Sequence, residues 1–188
     1  MNDQSTRKSV SKDGATEVAA SQASFPQPEG HHLASLNIAM AIADLEDPVM
    51  ADFVNALDAV NGIADRSPGF VWRLKDDSGR GDAARASPHM RDPRLTATLA
   101  VWETATDLEF FAWNTVHRRF MKNRHRWFVS PDKPYLVMWW IPAGTVPDID
   151  DAFDRLARLQ DHGPSAQGFG WSNLEGQRIW ETSGPPPG

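Results

Sequence analysis

The 188 residues suit one domain with tails, and 40% hydrophobic and 23% charged residues are typical of a globular protein. The absence of cysteine excludes disulfide bonds, thiolate metal sites and a cysteine nucleophile; it is typical of a reducing compartment, and we expect a cytoplasmic location. A net charge of −6 argues against a nucleic-acid or anionic-membrane partner, and no apolar stretch is long enough to span a bilayer.

The two ends of the chain lack the pattern of folded segments. Residues 1–30 are polar and have no hydrophobic periodicity, which predicts a disordered N-terminal tail. They also lack the apolar core of a secretory signal. Residues 181–188 end in SGPPPG and predict a second disordered tail. We therefore assign the folded domain to residues 31–180.

The first half of the domain alternates between strand and helix patterns. Residues Leu33–Met40 alternate apolar and polar side chains, which predicts a strand. Pro48 opens a helix with one apolar side, and this helix ends before Gly69. Residues Phe70–Lys75 alternate again and predict a second strand. The polar segment 76–93 is long for a loop in a compact domain, which is typical of a functional or mobile loop.

The second half repeats the pattern. Residues Leu95–Trp102 predict a third strand, and Thr106 with Glu109 forms a capping box for a helix over 107–127. The nearly continuous apolar run Tyr135–Ile141 predicts a strand that is buried on both faces.

A third helix is predicted after the fourth strand. It starts at Asp148, turns Ile149, Phe153, Leu156 and Leu159 inward, and ends before Gly163. A short final strand is expected at Phe169–Trp171.

The order β-α-β, loop, β-α-β, helix predicts an α+β, ferredoxin-like fold with an extra C-terminal helix. In that architecture the sheet is open and its two helices lie on one face. The strands predicted here are apolar on the other face as well, and such a face is unstable in water. We expect a second copy of the sheet to cover it, which predicts a homodimer.

Six sequence motifs carry a resemblance to a known family. They are LASLNIA, ALDAVNGIADRSPGFVWRL, DPRL, VWET, AWNTVHRRFM and PYLVMWWIPAG. Together they resemble the domain of unknown function 3291 family, which looks like a branch of the antibiotic-biosynthesis-monooxygenase superfamily of dimeric α+β barrels. The resemblance implies that barrel, formed by a homodimer. It implies no particular reaction, because the superfamily includes cofactor-free monooxygenases, haem-degrading enzymes, isomerases and proteins without known activity.

Polar residues on the second long helix form the first group of site candidates. Counting 100° per residue from Phe110 places His117 in the middle of the inward stripe, with Asn114 and Arg124 on the same stripe. Buried polar groups are costly unless they are satisfied, and they are tolerated where they line a cavity. His117 is therefore either a core residue bonded to a backbone carbonyl or a cavity residue that takes part in ligand binding, acid–base chemistry or iron ligation.

The predicted strands and their neighbours supply further candidates. Asn37 is a poor strand former on the first strand, and Arg73 occupies a similar position on the second. The two either orient a bound carbonyl or carboxylate or line the polar face of the sheet or a dimer seam. Trp102 and Trp113 either stack on a flat ligand or belong to the core. Asn61 either joins them or ends the first helix before a glycine.

The sequence supports no cofactor strongly. It has no HxxxH or HExxH pair for a metal, and it has no GxGxxG or P-loop for a nucleotide. The haem-degrading branch implies an Asn on the first strand and a Trp and a His on the second helix. Asn37 and Trp113 match in kind, but His117 and His125 follow Trp113 at spacings unlike those of that branch. We therefore expect no metal and no cofactor, with haem as the remaining alternative.

Two functions follow from these observations. In the first, the chain binds a mostly apolar or aromatic small molecule through His117, Asn37 and Arg73, and the resemblance suggests monooxygenase-like chemistry. In the second, it is a non-catalytic dimeric binding or interaction module in which these residues are structural. A cavity above roughly 300 Å³ beside His117 favours the first, and a filled core there favours the second.

Overall fold

The computed structural model describes residues 23–75, 87–115 and 122–175. Within these residues the fold is mixed α+β, with one open four-stranded antiparallel sheet and three α-helices. In chain order the elements are β1 His31–Met40, α1 Ala51–Ala64, β2 Phe70–Arg73, β3 Leu95–Trp102, α2 Ala105–Asn114, β4 Leu136–Pro142 and α3 Ile149–His162. No helix in this part of the chain is long and apolar enough to cross a membrane.

The sheet has the strand order β2-β3-β1-β4, with β1 and β3 in the centre. Residues Leu33 to Met40 of β1 pair with β3, and the first part of β1 also pairs with β4. α1 joins β1 to β2 and α2 joins β3 to β4, so each β-α-β unit spans one strand of the other unit. The four strands and their order along the chain agree with the sequence prediction.

One face of the sheet is covered by α3 of the same chain. Phe153, Leu156 and Leu159 pack on the apolar positions of the strands, which are Ala34, Leu36, Leu99, Val101, Val137, Trp139 and Ile141. The inward side of α3 is the predicted one, and its N-terminus is capped by Asp148 as expected. This is also the face for which we expected a second copy as cover. Because α3 occupies it, the reason for predicting a sheet-to-sheet dimer is lost, and the homodimer stays a prediction without that support.

The segment just before β1 packs against the last part of the described chain. Phe25 stacks on Phe169 with ring centroids 5.2 Å apart, and its backbone N donates to the carbonyl of Asn173 at 2.9 Å. Trp140 Nε1 donates to the carbonyl of Phe25 at 3.0 Å. Phe25, which precedes the predicted domain start at residue 31, thus contacts the described fold. Residues 1–22 and 176–188, which include the predicted C-terminal tail, lie outside the described residues.

The second helix differs most from the prediction. Its N-cap is Thr104, whose side chain accepts from the backbone N of Asp107, and not Thr106. The helix ends at Asn114 because Thr115 has an extended backbone, with φ −111° and ψ −175°. A single helix over 107–127 is thus wrong, and a separate 3₁₀ turn covers Arg124–Arg126. Residues 116–121, with His117, lie outside the described residues.

The last part of the predicted 76–93 loop packs on α3. Ser87 Oγ donates to Asp150 at 2.6 Å, and the His89 ring stacks on Phe153 with centroids 4.8 Å apart. Residues 76–86 lie outside the described residues. The predicted final strand is reduced to one bridge between Phe169 and Met138 of β4, after which a 3₁₀ turn covers Trp171–Asn173.

Candidate functional site

A cavity of about 410 Å³ lies between the sheet and the helices α1 and α2, on the face opposite α3. Its floor comes from one face of the strands, mainly Ser35, Asn37, Thr96, Thr98 and Ala100. Its cover comes from the two helices, mainly Phe53, Ala56, Leu57, Val60, Asn61, Leu108, Phe111 and Ala112. Its further end is formed by the segment after α2, with Arg124, Trp127, Phe128 and Tyr135. The described residues therefore fill this side of the sheet only partly.

The floor of the cavity carries polar groups with unused hydrogen-bonding capacity. Asn37 of β1 lies directly opposite Thr98 of β3 in the antiparallel ladder, so both side chains project from the same face. Neither side chain makes a hydrogen bond with a described residue, and the same holds for Asn61 on α1. Thr96, in contrast, donates to the carbonyl of Ala39 at 3.0 Å. The amides and the hydroxyl of the unengaged residues are thus available to a ligand or to water.

Aromatic rings form one wall of the cavity. Trp102 stacks on Phe111 with centroids 5.2 Å apart and meets Phe70 edge-on at 5.3 Å. The indole N–H groups of Trp102 and Trp113 are buried and have no hydrogen-bond partner in the described structure. An unsatisfied buried donor costs about 1–3 kcal/mol. This wall is therefore apolar, and its two indole donors are enclosed within it without acceptors.

Arg73 lines the cavity from β2 and is held by an acidic partner. Its Nε donates to Asp65 Oδ1 at 2.8 Å, and Lys75 Nζ lies 3.0 Å from the other oxygen of the same carboxylate. Burial opposes ionisation of Asp65, but the hydrogen bonds and charges of Arg73 and Lys75 outweigh it and hold the pKa of that carboxyl below its ordinary value. The charge of Arg73 is thus largely balanced within the protein.

Arg124 and Tyr135 form a pair at the opposite end. An Nη1 hydrogen of Arg124 is donated to the Tyr135 hydroxyl, and the guanidinium carbon lies 5.1 Å from the centre of the ring. Burial raises the pKa of Tyr135, although the nearby charge of Arg124 opposes that rise. The phenol therefore stays protonated at neutral pH.

The structure brings together most of the residues predicted from the sequence. Asn37, Arg73, Trp102, Trp113 and Arg124 all line the cavity.

Two predicted site residues are not placed there. Asn114, which we predicted to face inward, is exposed at the end of α2 and is not part of the lining. His117 lies outside the described residues, and the helical count that placed it no longer applies, because Thr115 interrupts the helix. Phe110, the origin of that count, is 48% exposed, whereas Phe111 and Trp113 are buried.

Several cavity residues were not identified from the sequence. Thr98 and Ser35 share the face of Asn37, and aligning the polar positions of the first and third strands would have found them. Tyr135 opens the apolar run of the fourth strand and is the sole tyrosine of the chain, which is a weak signal. Asn61 was considered both as a site residue and as the end of the first helix. It lies in the last turn of α1 and lines the cavity.

The described lining contains few groups that could hold a metal or transfer a proton. It has no histidine, carboxylate or lysine, and no group of three metal-ligating side chains occurs among the described residues. Within the described lining, the phenol of Tyr135 comes nearest to a base or an iron ligand, and its raised pKa disfavours the deprotonated form that either role needs.

Comparison with protein families identifies the family of this chain. The family described as Domain of unknown function (DUF3291) matches residues 32–183. The chain belongs to this family. All cavity residues named above lie within the region that matches DUF3291.

Among solved structures, the crystal structure of a protein of unknown function from Nitrosomonas europaea is similar to this DUF3291 chain. The similarity covers 64% of this chain and 99% of that one, with 14% sequence identity and a TM-score of 0.42. Comparison with curated proteins gives no significant match.

Proposed function

We propose that this chain binds a small, flat and mostly apolar molecule in the cavity between the sheet and the helices α1 and α2. The observation that carries the proposal is the cavity itself, because a volume of about 410 Å³ lies within the range of ligand sites and above the limit that favours a pocket over a filled core.

The chemistry of the lining supports an aromatic ligand with polar substituents. The stacked rings of Trp102 and Phe111 make one wall of the cavity apolar, which suits an apolar or aromatic ligand. Asn37, Asn61 and Thr98 supply amide and hydroxyl groups that fix the orientation of a ligand. Small-molecule sites usually combine a few polar groups with a largely apolar lining.

The strand order β2-β3-β1-β4 supports placing the chain with the ferredoxin-like α+β proteins, and the sequence motifs support the antibiotic-biosynthesis-monooxygenase superfamily. Monooxygenase-like chemistry is then the enzymatic form of the proposal. It requires a base, and within the described lining Tyr135 is the nearest to one, yet its raised pKa keeps it protonated. Non-catalytic binding is therefore the second candidate, and it needs no residue beyond those described.

The binding proposal is tested by filling the cavity. Ala56 on α1 lines the cavity, whereas Ala59, three residues later, is exposed and outside the lining. The probe is the neutral dye N-phenyl-1-naphthylamine, whose fluorescence rises in apolar sites. We expect saturable binding to the full chain, a loss of about tenfold or more in affinity in Ala56→Phe, and a change below about twofold in Ala59→Phe. Equal binding by both variants, or no saturable binding, would contradict the proposal.

The molecule that copurifies with the protein distinguishes the enzymatic form of the proposal from the non-catalytic one. Native mass spectrometry and an absorbance spectrum of the full chain purified from cells would reveal a bound organic ligand, a flavin or a haem. A haem Soret band would support the haem alternative. A colourless ligand that returns chemically unchanged after incubation in air would favour the non-catalytic form, and an oxidised product would favour the monooxygenase-like one.

A further inference from the structure

Arg124 and Tyr135 stand where two cavities meet. Both line the 410 Å³ cavity, and both also line a second, more open cavity of about 300 Å³. The other residues of the second cavity are Ser130, Asp132, Lys133 and two prolines. A group bound by this pair is thus within reach of the aromatic cavity and also of the surface.

The pair presents hydrogen-bond donors without acceptors. The Tyr135 oxygen accepts from Arg124, and the hydroxyl hydrogen donates to no described residue. Tyr135 is 8% exposed, so this donor is largely shielded from water. The guanidinium of Arg124 has five N–H donors in a fixed plane, of which the described structure uses one for Tyr135. Both groups can therefore donate to the same ligand oxygens.

Among the described residues, no carboxylate pairs with the guanidinium of Arg124, although Asp132 lines the second cavity. Arg73 has Asp65 as a partner, and the ammonium of Lys133 lies 3.8 Å from Asp161. One positive charge next to an apolar cavity, with a neutral phenol donor beside it, matches a ligand group of one negative charge. A phosphate monoester, with its second charge, would lack a second unpaired cation among the described residues that line the two cavities.

We propose that the Arg124–Tyr135 pair is a carboxylate-binding subsite, so that the natural ligand is an aromatic or other apolar carboxylate. The ring lies in the apolar cavity, and the carboxylate accepts from the guanidinium of Arg124 and from the Tyr135 hydroxyl. Charge-assisted bonds of this kind are about twice as strong as neutral ones. This inference rests on the proposed binding function and adds the class of ligand to it.

The test compares two ligands of similar shape that differ in charge. Calorimetric titration of the full chain uses 2-naphthoate and the neutral 2-naphthylmethanol. We expect 2-naphthoate to bind about tenfold or more tightly than the alcohol. In Arg124→Met the affinity for 2-naphthoate should fall about tenfold or more, with a change below about threefold for the alcohol. Arg126→Met is the matched control: Arg126 lies in the same 3₁₀ turn but is exposed and outside the lining, and it should leave both affinities within about twofold.

A second variant keeps the inference testable where Arg124→Met folds poorly. Tyr135→Phe retains the ring under the guanidinium and removes the hydroxyl donor, so the affinity for 2-naphthoate should fall about threefold or more, with a smaller change for the alcohol. Equal binding of both ligands to the unaltered chain, or equal losses for both in the variants, would overturn the carboxylate subsite and leave the binding function intact. Binding of neither ligand would contradict the binding function and this inference together.

Discussion

The guanidinium of Arg73 on β2 donates to the carboxylate of Asp65 just after α1, with 2.8 Å between Nε and Oδ1. Arg73 is 7% exposed and lines the cavity, so this contact both fixes one cavity residue and ties β2 to α1. The same contact gives the two arginines of the cavity different partners. Asp65 already compensates Arg73, whereas Arg124 has a phenol as its partner, and the site for an anionic ligand therefore lies at the Arg124 end.

The first prediction concerns the Asp65 carboxylate. Asp65→Asn removes the charged acceptor of a buried guanidinium and should lower the free energy of unfolding by about 1–3 kcal/mol at neutral pH. The control is Asp92→Asn, which breaks the pair of Asp92 with Arg94, a contact that is more exposed on both sides. Surface pairs contribute about 0–1 kcal/mol, so the control should change stability less. Urea denaturation of both variants measures the difference, and equal effects would contradict the prediction.

The same pair predicts a pH dependence. Because the pKa of Asp65 is lower in the folded protein than in the unfolded chain, its contribution to stability is complete above the unfolded value, about 4 for a carboxyl group. The contribution is lost as the pH falls through the lower, folded pKa. We therefore expect the stability difference between the unaltered chain and Asp65→Asn to be constant from about pH 7 to 5 and to shrink below about pH 4. A difference that stays constant to the lowest pH of cooperative unfolding would exclude this cause.

The next prediction tests whether α3 is the cover of the sheet. Leu156 is 3% exposed and packs in the core between α3 and the strands. Leu156→Ala should lower the free energy of unfolding by about 2–5 kcal/mol, because it removes buried area and leaves a hole. Asp154→Ala, on the exposed side of the same helix, should change it by about 0.5 kcal/mol or less. Thermal unfolding with both variants measures this. A small effect at Leu156 would mean that the helix does not pack there in solution.

The N-terminal segment gives a prediction about where the folded chain begins. Removal of residues 1–22, which lack periodic apolar side chains, should leave the melting temperature within about a degree or two. Removal of residues 1–30 also removes the stacking of Phe25 on Phe169 and should lower it by about 5 °C or more. Phe25→Ala in the full chain should reproduce most of the larger effect. Equal melting temperatures for both truncations would show that Phe25 contributes nothing.

The sequence predicted the strands well because their side chains alternate, and the two faces of a sheet need different neighbours. Leu95–Trp102 was predicted with the observed bounds, and the inward side of α3 was predicted from Phe153 and Leu156. The packing of α3 on the second face was not predicted. An apolar face indicates that something must cover it, but the pattern cannot distinguish a second copy from a helix of the same chain.

The second helix was predicted poorly for local reasons. Thr104 with Asp107 and Thr106 with Glu109 are both plausible starts two residues apart, and the structure uses the first. No glycine or proline marks the extended backbone of Thr115, so the break was not visible in the sequence. Because Phe110 and Phe111 are both large and apolar, the wrong one was taken as inward.

The last prediction concerns Tyr135, which is the sole tyrosine of the chain, so that the ultraviolet absorbance of phenolate reports on this residue alone. Burial raises its pKa in the folded protein, and we expect it to titrate above the ordinary value of about 10, whereas the unfolded chain in urea should titrate near that value. Arg124 opposes the rise, so Arg124→Met should raise the pKa further, and the control Arg126→Met should not. Since the folded pKa is above the unfolded one, the contribution to stability is complete below about pH 10 and is lost as the pH rises through the folded pKa.

A bound carboxylate would place negative charge beside the phenol of Tyr135 and raise the pKa of Tyr135 again. The titration with and without saturating 2-naphthoate therefore measures the site directly. If the pKa of Tyr135 is the same in the unaltered chain, in Arg124→Met and in the presence of 2-naphthoate, then Tyr135 is neither buried beside Arg124 nor next to the ligand.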